Sequence, residues 1–222
     1  MGVYTFKEGS EFVKYAERMI QEEITTRGEF YICPLYNLMI QNGSKIDIKE
    51  VDKMHLMGTP DELEFYLTHS LVKFGDKPIA ICADHSGFDI KNKACDILKS
   101  KGIKYVDYGT FVDKDCDYND YVSQAVDAVN RGFSDYIIAF CRTGQGVNIA
   151  GNKNKGIRAA VVYDEYAAEH AIRHNCANYF SVPSRVITSD TFSNMIDIWQ
   201  QTTFDGGRHV PRITKAEFNE SV

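Results

Sequence analysis

The stretch Cys141-Arg142-Thr143-Gly144-Gln145-Gly146 directly follows the apolar run Tyr136-Ile137-Ile138-Ala139-Phe140. A buried strand that ends in a thiol and opens into a glycine-rich turn sets a potential base beside a row of backbone N–H groups. Residues Val147 to Lys153 can continue as a short helix whose N-terminus faces the same spot. Backbone donors, a helix dipole and a thiol suit a reaction that creates an oxyanion next to a carbon losing a proton. Taken alone, the turn also fits a structural role, with Cys141 as a small core residue.

Three other groups of residues carry possible chemistry. Asp84-His85 ends an apolar run, where parallel sheets gather ligand contacts; the plainer reading is a helix cap and a solvated imidazole. His174-Asn175 closes a helical stretch, where a histidine also serves as a partner of the helix dipole. Arg185 follows a strand, and Arg208, His209 and Arg212 follow the pair Gly206-Gly207. Near a chain end such a cluster is commonly solvated surface. The Arg-x-x-x-Arg spacing after a glycine pair also suits a planar grip on phosphate oxygens.

The elements that must position these groups alternate beyond Gly75-Asp76-Lys77-Pro78. Strands are expected at 78–82, 104–108, 136–140, 157–163 and 179–187, with helices through Lys99, over 117–129, 166–174 and 192–201. That alternation predicts an α/β three-layer sandwich with a five-stranded parallel sheet, ligand loops lying at the strands' carboxyl ends. Residues 1–75 read differently, as a small mixed α/β N-terminal segment. A helix is expected over 11–24, a strand over 46–51, and a turn and cap at Gly58-Thr59-Pro60-Asp61-Glu62 leading into a helix through Leu67. The domain boundary is therefore placed between residues 75 and 76.

Composition narrows the class of protein. A net charge of −6 and a pI near 5.5 argue against a nucleic-acid coat or a membrane-surface patch. No apolar run approaches the roughly 20 residues of a membrane span. Six cysteines without a C-x-x-C pair exclude zinc-ribbon and thioredoxin-type spacing. With no secretory pattern at residues 1–6, they read as reduced thiols of a cytoplasmic protein. Gly2 lacks the Ser or Thr that myristoylation expects, since Phe6 occupies that position.

Taken in order, these motifs resemble the type B ribose-5-phosphate isomerase family, which includes galactose-6-phosphate isomerase subunits. The matching strings are Ile81-Cys-Ala-Asp-His-Ser-Gly-Phe88, Cys141-Arg-Thr-Gly-Gln-Gly146, Ala150-Gly-Asn-Lys-Asn-Lys-Gly-Ile-Arg158, His174-Asn175 with Asn178, Ser184-Arg-Val-Ile187 and Gly206-Gly-Arg-His-Val-Pro-Arg212. They span about residues 77–215. The resemblance implies a Rossmann-like fold, a homodimer or higher assembly, active sites shared between subunits, and no metal or cofactor. It implies that Cys141 is the base moving a proton between C1 and C2, with Arg142, Thr143, Gly144, Gln145 and Gly146 around the enediolate and Thr143 relaying the second proton. His174 would open the furanose, and Asp84, His85 and Asn175 would contact the sugar. Arg185, Arg208 and Arg212 would hold the phosphate, the last two reaching in from the partner subunit. Three positions depart from the family: Arg142 stands where glycine is usual, Cys176 where Asp is common, and Asn119 where Pro is common.

Two N-terminal strings, Gly28-Glu-Phe-Tyr-Ile-Cys-Pro-Leu-Tyr36 and Val51-Asp-Lys-Met-His-Leu-Met-Gly-Thr-Pro-Asp-Glu-Leu63, resemble the C-terminal end of sugar-phosphate nucleotidylyltransferase domains. The glycine-rich nucleotide loop of such domains is missing, so the segment is read as a remnant without nucleotidyl transfer of its own. The expected function is metal-independent isomerisation of a phosphorylated sugar, with ribose 5-phosphate to ribulose 5-phosphate as first choice. Two alternatives stand beside it. One is a catalytically weak sugar-phosphate-binding or regulatory module of activated-sugar synthesis; the other is an isomerase of another tetrose, pentose or hexose phosphate.

Overall fold

The computed structural model describes residues 4–49, 63, 66 and 72–218. The chain divides into two compact units, Met1–Asp52 and Lys53–Val222. In the second unit the apolar runs of the sequence become strands β1 (Ile79–Ala83), β2 (Tyr105–Asp107), β3 (Ile137–Cys141), β4 (Ala159–Val161) and β5 (Tyr179–Pro183). All pair in parallel, in the order β2-β1-β3-β5-β4. The three inner strands β1, β3 and β5 are buried along their whole length, as a sheet covered on both faces demands. The chain crosses from one side of β1 to the other between β2 and β3, so a topological switch point lies between β1 and β3.

Helices α3 (Phe88–Ser100), α4 (Tyr118–Asn130), α5 (Gln145–Asn152), α6 (Glu165–Arg173) and α7 (Ser189–Gln201) cover the sheet. Local chemistry starts several of them. The Asp117, Asp164 and Thr188 side chains each accept a backbone N–H at the N-cap of α4, α6 and α7. Residues of α3, α6 and α7 share one core with Ile138 and Phe140 of β3. The alternate residues Ile137, Ala139 and Cys141 join α4 and α5 on the other face. Trp199 anchors the first core: its ring stacks on Phe180 at 4.1 Å, and its indole N–H donates to the Ala168 carbonyl at 3.1 Å. Val72 and Phe74, which the sequence reading counted with the N-terminal segment, join this core. Among the described residues, no helix is long and apolar enough to cross a membrane.

Two sequence expectations need correction. The extended stretch expected over 179–187 ends as a strand at Pro183, because Val186 and Ile187 donate their N–H groups back to the Pro183 carbonyl and close a turn. The segment after Gly206-Gly207 was read as a basic cluster near a chain end, with no element of its own. It instead forms a 3-10 turn and helix α8 (Val210–Phe218). Val210 and Ile213 are buried with Phe204 and Cys176, and Arg158 donates to Glu217 at 2.6 Å. Burial of these apolar groups holds the helix on its own unit.

The first unit contains α1 (Gly9–Gln21) and α2 (Cys33–Gln41), joined by a turn with one bridge between Thr26 and Glu29. Tyr15 and Met19 of α1 pack on Leu35, Leu38 and Met39 of α2. Pro34 sits in the first turn of α2, where its missing N–H costs nothing. The expected strand over 46–51 is not formed at Ile46–Lys49. Its remainder, and most of the helix expected after Gly58, lie outside the described residues.

Candidate active site

Three loops converge at the carboxyl edge of the sheet. Asp84 and His85 follow β1, Arg142 to Gly146 follow β3, and Ser184 and Arg185 follow β5. Hydrogen bonds tie the loops together. Asp84 N donates to the Phe140 carbonyl at 3.2 Å, Ser184 N to the Cys141 carbonyl at 2.9 Å, and Arg185 N to the Arg142 carbonyl at 3.3 Å. The Ser184 hydroxyl donates to the Ser86 carbonyl at 2.8 Å. Ser184 and Ser86 are positioning residues that sequence reasoning did not single out, since a serine in a turn carries no distinctive signal.

Cys141 is buried at 5% exposure, at the end of β3 and beside Pro183. Gly144, with φ of 74°, caps α5, so the first backbone N–H groups of that helix have no intrahelical acceptor and face the loop. Gly146 packs on the Tyr118 ring. Arg142, Thr143 and Gln145 are exposed around the thiol. Beneath the site, burial pushes the Cys82 thiol far above the ordinary range, so it stays neutral. Asp84 is buried, and its Oδ1 accepts the Gly87 N–H at 3.0 Å. His85 Nδ1 accepts the Cys116 N–H at 3.4 Å and lies 3.3 Å from Asp115.

The turn that aims Asp84 and His85 depends on close backbone approach. A Cβ on Gly87 would lie 2.6 Å from the Phe140 Cβ and 2.7 Å from its carbonyl oxygen. Gly87→Ala is therefore expected to cost about 1–3 kcal/mol, read as a lower denaturant midpoint at unchanged slope.

His174 and Asn175 sit elsewhere. Helix α6 starts after β4 and runs back along the sheet, so its C-terminus lies at the amino edge. There His174 stacks on His209 at 4.4 Å with an interplanar angle of 9°, and its Nε2 lies 3.8 Å from Asp205. Arg173 donates to both Asp205 oxygens, at 3.2 and 3.1 Å. Burial lowers the His209 pKa, with His174, Arg208 and Arg212 adding to the effect. A cavity of about 590 Å³ is lined by His174, Asn175, His209 and Arg212 together with Arg158 and Glu217. Arg208 and Arg212 are exposed.

The structure thus brings together Asp84, His85, Cys141 to Gly146 and Arg185 at one edge of the sheet. It brings together His174, Asn175, Arg208 and Arg212 at the other. A five-residue strand such as β5 alone separates the edges by about 13 Å. Among the described residues, the cavity at the second group is lined by no member of the first. The ligand loops expected at the strands' carboxyl ends account for the first group, while the second lies at the amino edge. Asp205, a member of the second group, was missed, because an acid before two glycines reads as a turn residue.

Residues 79–216 match the family model described as Ribose/Galactose Isomerase. The chain belongs to this family. Over 137 residues it is 37% identical to ribose-5-phosphate isomerase B of Escherichia coli (strain K12), covering 62% of this chain and 92% of that one. The crystal structure of a ribose 5-phosphate isomerase from Thermotoga maritima superposes with a TM-score of 0.63 at 38% identity, over 64% of this chain and 99% of that chain. The type B ribose 5-phosphate isomerase of Leishmania infantum gives a TM-score of 0.61 at 31% identity, over 65% and 96%. The family match starts at β1, so the first unit lies outside it.

As a ribose/galactose isomerase family member, the chain is an isomerase, and its departures from the family pattern acquire a local setting. Cys176 adopts φ of 48°, a left-handed conformation that Asp tolerates better than Cys. Asn119 donates its backbone N–H to the Asp117 cap at 2.8 Å, a bond that the family's usual proline lacks the N–H to make. Arg142 adds an exposed cation directly after the thiol.

Proposed function

We propose that this chain interconverts ribose 5-phosphate and ribulose 5-phosphate, at a site built from the carboxyl edge of one copy and the amino edge of a second. The observation that carries this reading is the division of the expected site residues between opposite edges of one sheet. Two copies related by a two-fold axis can set each thiol loop against the other copy's histidine and arginines.

In the proposed reaction, His174 of one copy moves a proton between the ring oxygen and the anomeric hydroxyl, which opens the furanose. Cys141 of the other copy, as thiolate, takes the C2 proton of the aldehyde and returns it to C1. The backbone N–H groups of Arg142 to Gly146 hold the enediolate oxygens, donors aimed where charge develops. Thr143 relays the proton between the two oxygens. Asp84, His85 and Asn175 position the hydroxyls. Arg185 meets Arg208 and Arg212 of the other copy around the phosphate, where planar forks suit phosphate oxygens. No step in this scheme is routed through a metal. Six free thiols support a reducing, cytoplasmic setting.

The test is to incubate the aldose phosphate with the protein in heavy water. Solvent deuterium at C2 of recovered aldose is the expected result. Binding without exchange would sink the isomerase reading in favour of a sugar-phosphate-binding module. A panel of phosphorylated tetroses, pentoses and hexoses compared by kcat/KM then tests the choice of sugar; ribose 5-phosphate should rank first.

A further inference from the structure

We propose that His174, Asp205 and His209 form a binding site for a borderline transition-metal ion such as Zn²⁺ or Co²⁺. One ligand atom from each residue lies within 4.8 Å of the other two, and the three are half-buried or buried. Two imidazoles and one carboxylate with an open position make a familiar three-ligand set for such ions. A metal lies in the plane of each imidazole it binds, so coordination requires one of the two stacked rings, His174 or His209, to turn out of the stack toward Asp205.

The local chain geometry explains how these three residues meet. Asp205 and His209 flank Gly206 and Gly207, whose φ values of 65° and 55° turn the chain sharply. The His209 N–H donates to the Gly206 carbonyl at 3.1 Å and closes the turn. His174 comes from the end of α6, and the Asp205 N–H donates to the Arg173 carbonyl at 2.9 Å, which locks the turn beside it. Arg173 also grips the Asp205 carboxylate, fixing its orientation as outer-shell partners of metal ligands do. A carboxylate has about four acceptor positions, so two arginine bonds leave room for a metal.

The surroundings select the class of ion. Arg173, Arg208 and Arg212 make the neighbourhood cationic. A hard ion held by field alone, such as Mg²⁺ or Ca²⁺, needs several oxygen ligands and gains nothing from imidazole. An ion that bonds strongly to imidazole nitrogen can bind despite the neighbouring charge. Occupancy would engage the His174 nitrogen. On the isomerase reading, the metal would therefore act as an inhibitor at the ring-opening residue; the binding itself does not depend on that reading.

The test uses the full chain, stripped with a chelator and titrated with Co²⁺ while the visible spectrum is followed. One ion per chain is expected, with Co²⁺ broadening the imidazole proton resonances of His174 and His209 before those of His85. Asp205→Asn and His209→Gln should each weaken binding at least about tenfold, the loss that even outer-shell partners cause. Unchanged binding in both variants, a near-ultraviolet thiolate-to-cobalt band, or broadening of His85 first would overturn the site. Zn²⁺ should slow turnover of a ring-closed aldose phosphate in the wild type, and proportionally less in Asp205→Asn. Equal inhibition of both would overturn the inhibitory role. A chain that does not isomerise would still show the Co²⁺ signals, so the two readings fail separately.

Discussion

Replacing Cys141 with alanine is expected to abolish proton exchange at C2 while leaving sugar-phosphate binding in place. In the proposed mechanism the thiol is the acid–base group; it ends β3 beside the N-terminus of α5, and burial holds its neighbour Cys82 neutral. Loss of a general base costs about 10²–10⁴-fold in rate. The side chain is small and packs with Val147 and Ala139, so alanine leaves a minor void and the fold should persist. Deuterium exchange at C2 reads the chemical step, and calorimetric titration with the phosphorylated sugar reads binding. Near-normal exchange in Cys141→Ala would remove the cysteine from the mechanism.

The second large effect is recovery of activity from two inactive proteins. Cys141→Ala loses the carboxyl-edge group and His174→Ala loses the amino-edge group. If one site draws these residues from different chains, a mixed dimer carries one site with both residues intact and one with neither. Random exchange makes half the dimers mixed, so a two-fold dimer should regain about one quarter of wild-type turnover. Arg208→Ala should complement Cys141→Ala in the same way, whereas Arg208→Ala mixed with His174→Ala should not. Absence of recovery after confirmed subunit exchange would place all these residues in a site of one chain, against the division seen between the sheet edges.

Much of the second unit was legible because its physics is local. The runs at 79–83 and 137–141 are apolar throughout, as strands covered on both faces must be, and Asp117, Asp164 and Thr188 mark helix starts by their capping side chains. The carboxyl-edge site was legible for the same reason, since Asp84 and Cys141 each end such a run. The position of His174 follows only when helix direction is traced: a helix between parallel strands returns the chain to the amino edge. Helix α8 was obscured by Pro211 and the exposed Arg212. Its buried side consists of Val210 and Ile213, too few apolar groups for a periodic signal, and it depends on Cys176 and Phe204, more distant in the chain. Asp205 became significant only through contacts with Arg173 and His174, which no spacing in the sequence announces.

The small cluster of Cys176, Phe204, Val210 and Ile213 has a consequence for the energy landscape of the site. Resistance to local opening scales with the apolar contacts that must be broken, and it differs between parts of one fold. The thiol loop is rooted in strands whose side chains belong to the two main cores. Around His209 and the arginines, the backbone is held by four apolar residues, the Arg158–Glu217 pair and the bonds between Asp205 and Arg173. The carboxyl-edge loop is therefore expected to open only with the second unit as a whole, whereas the segment around His209 and the arginines is expected to open locally first.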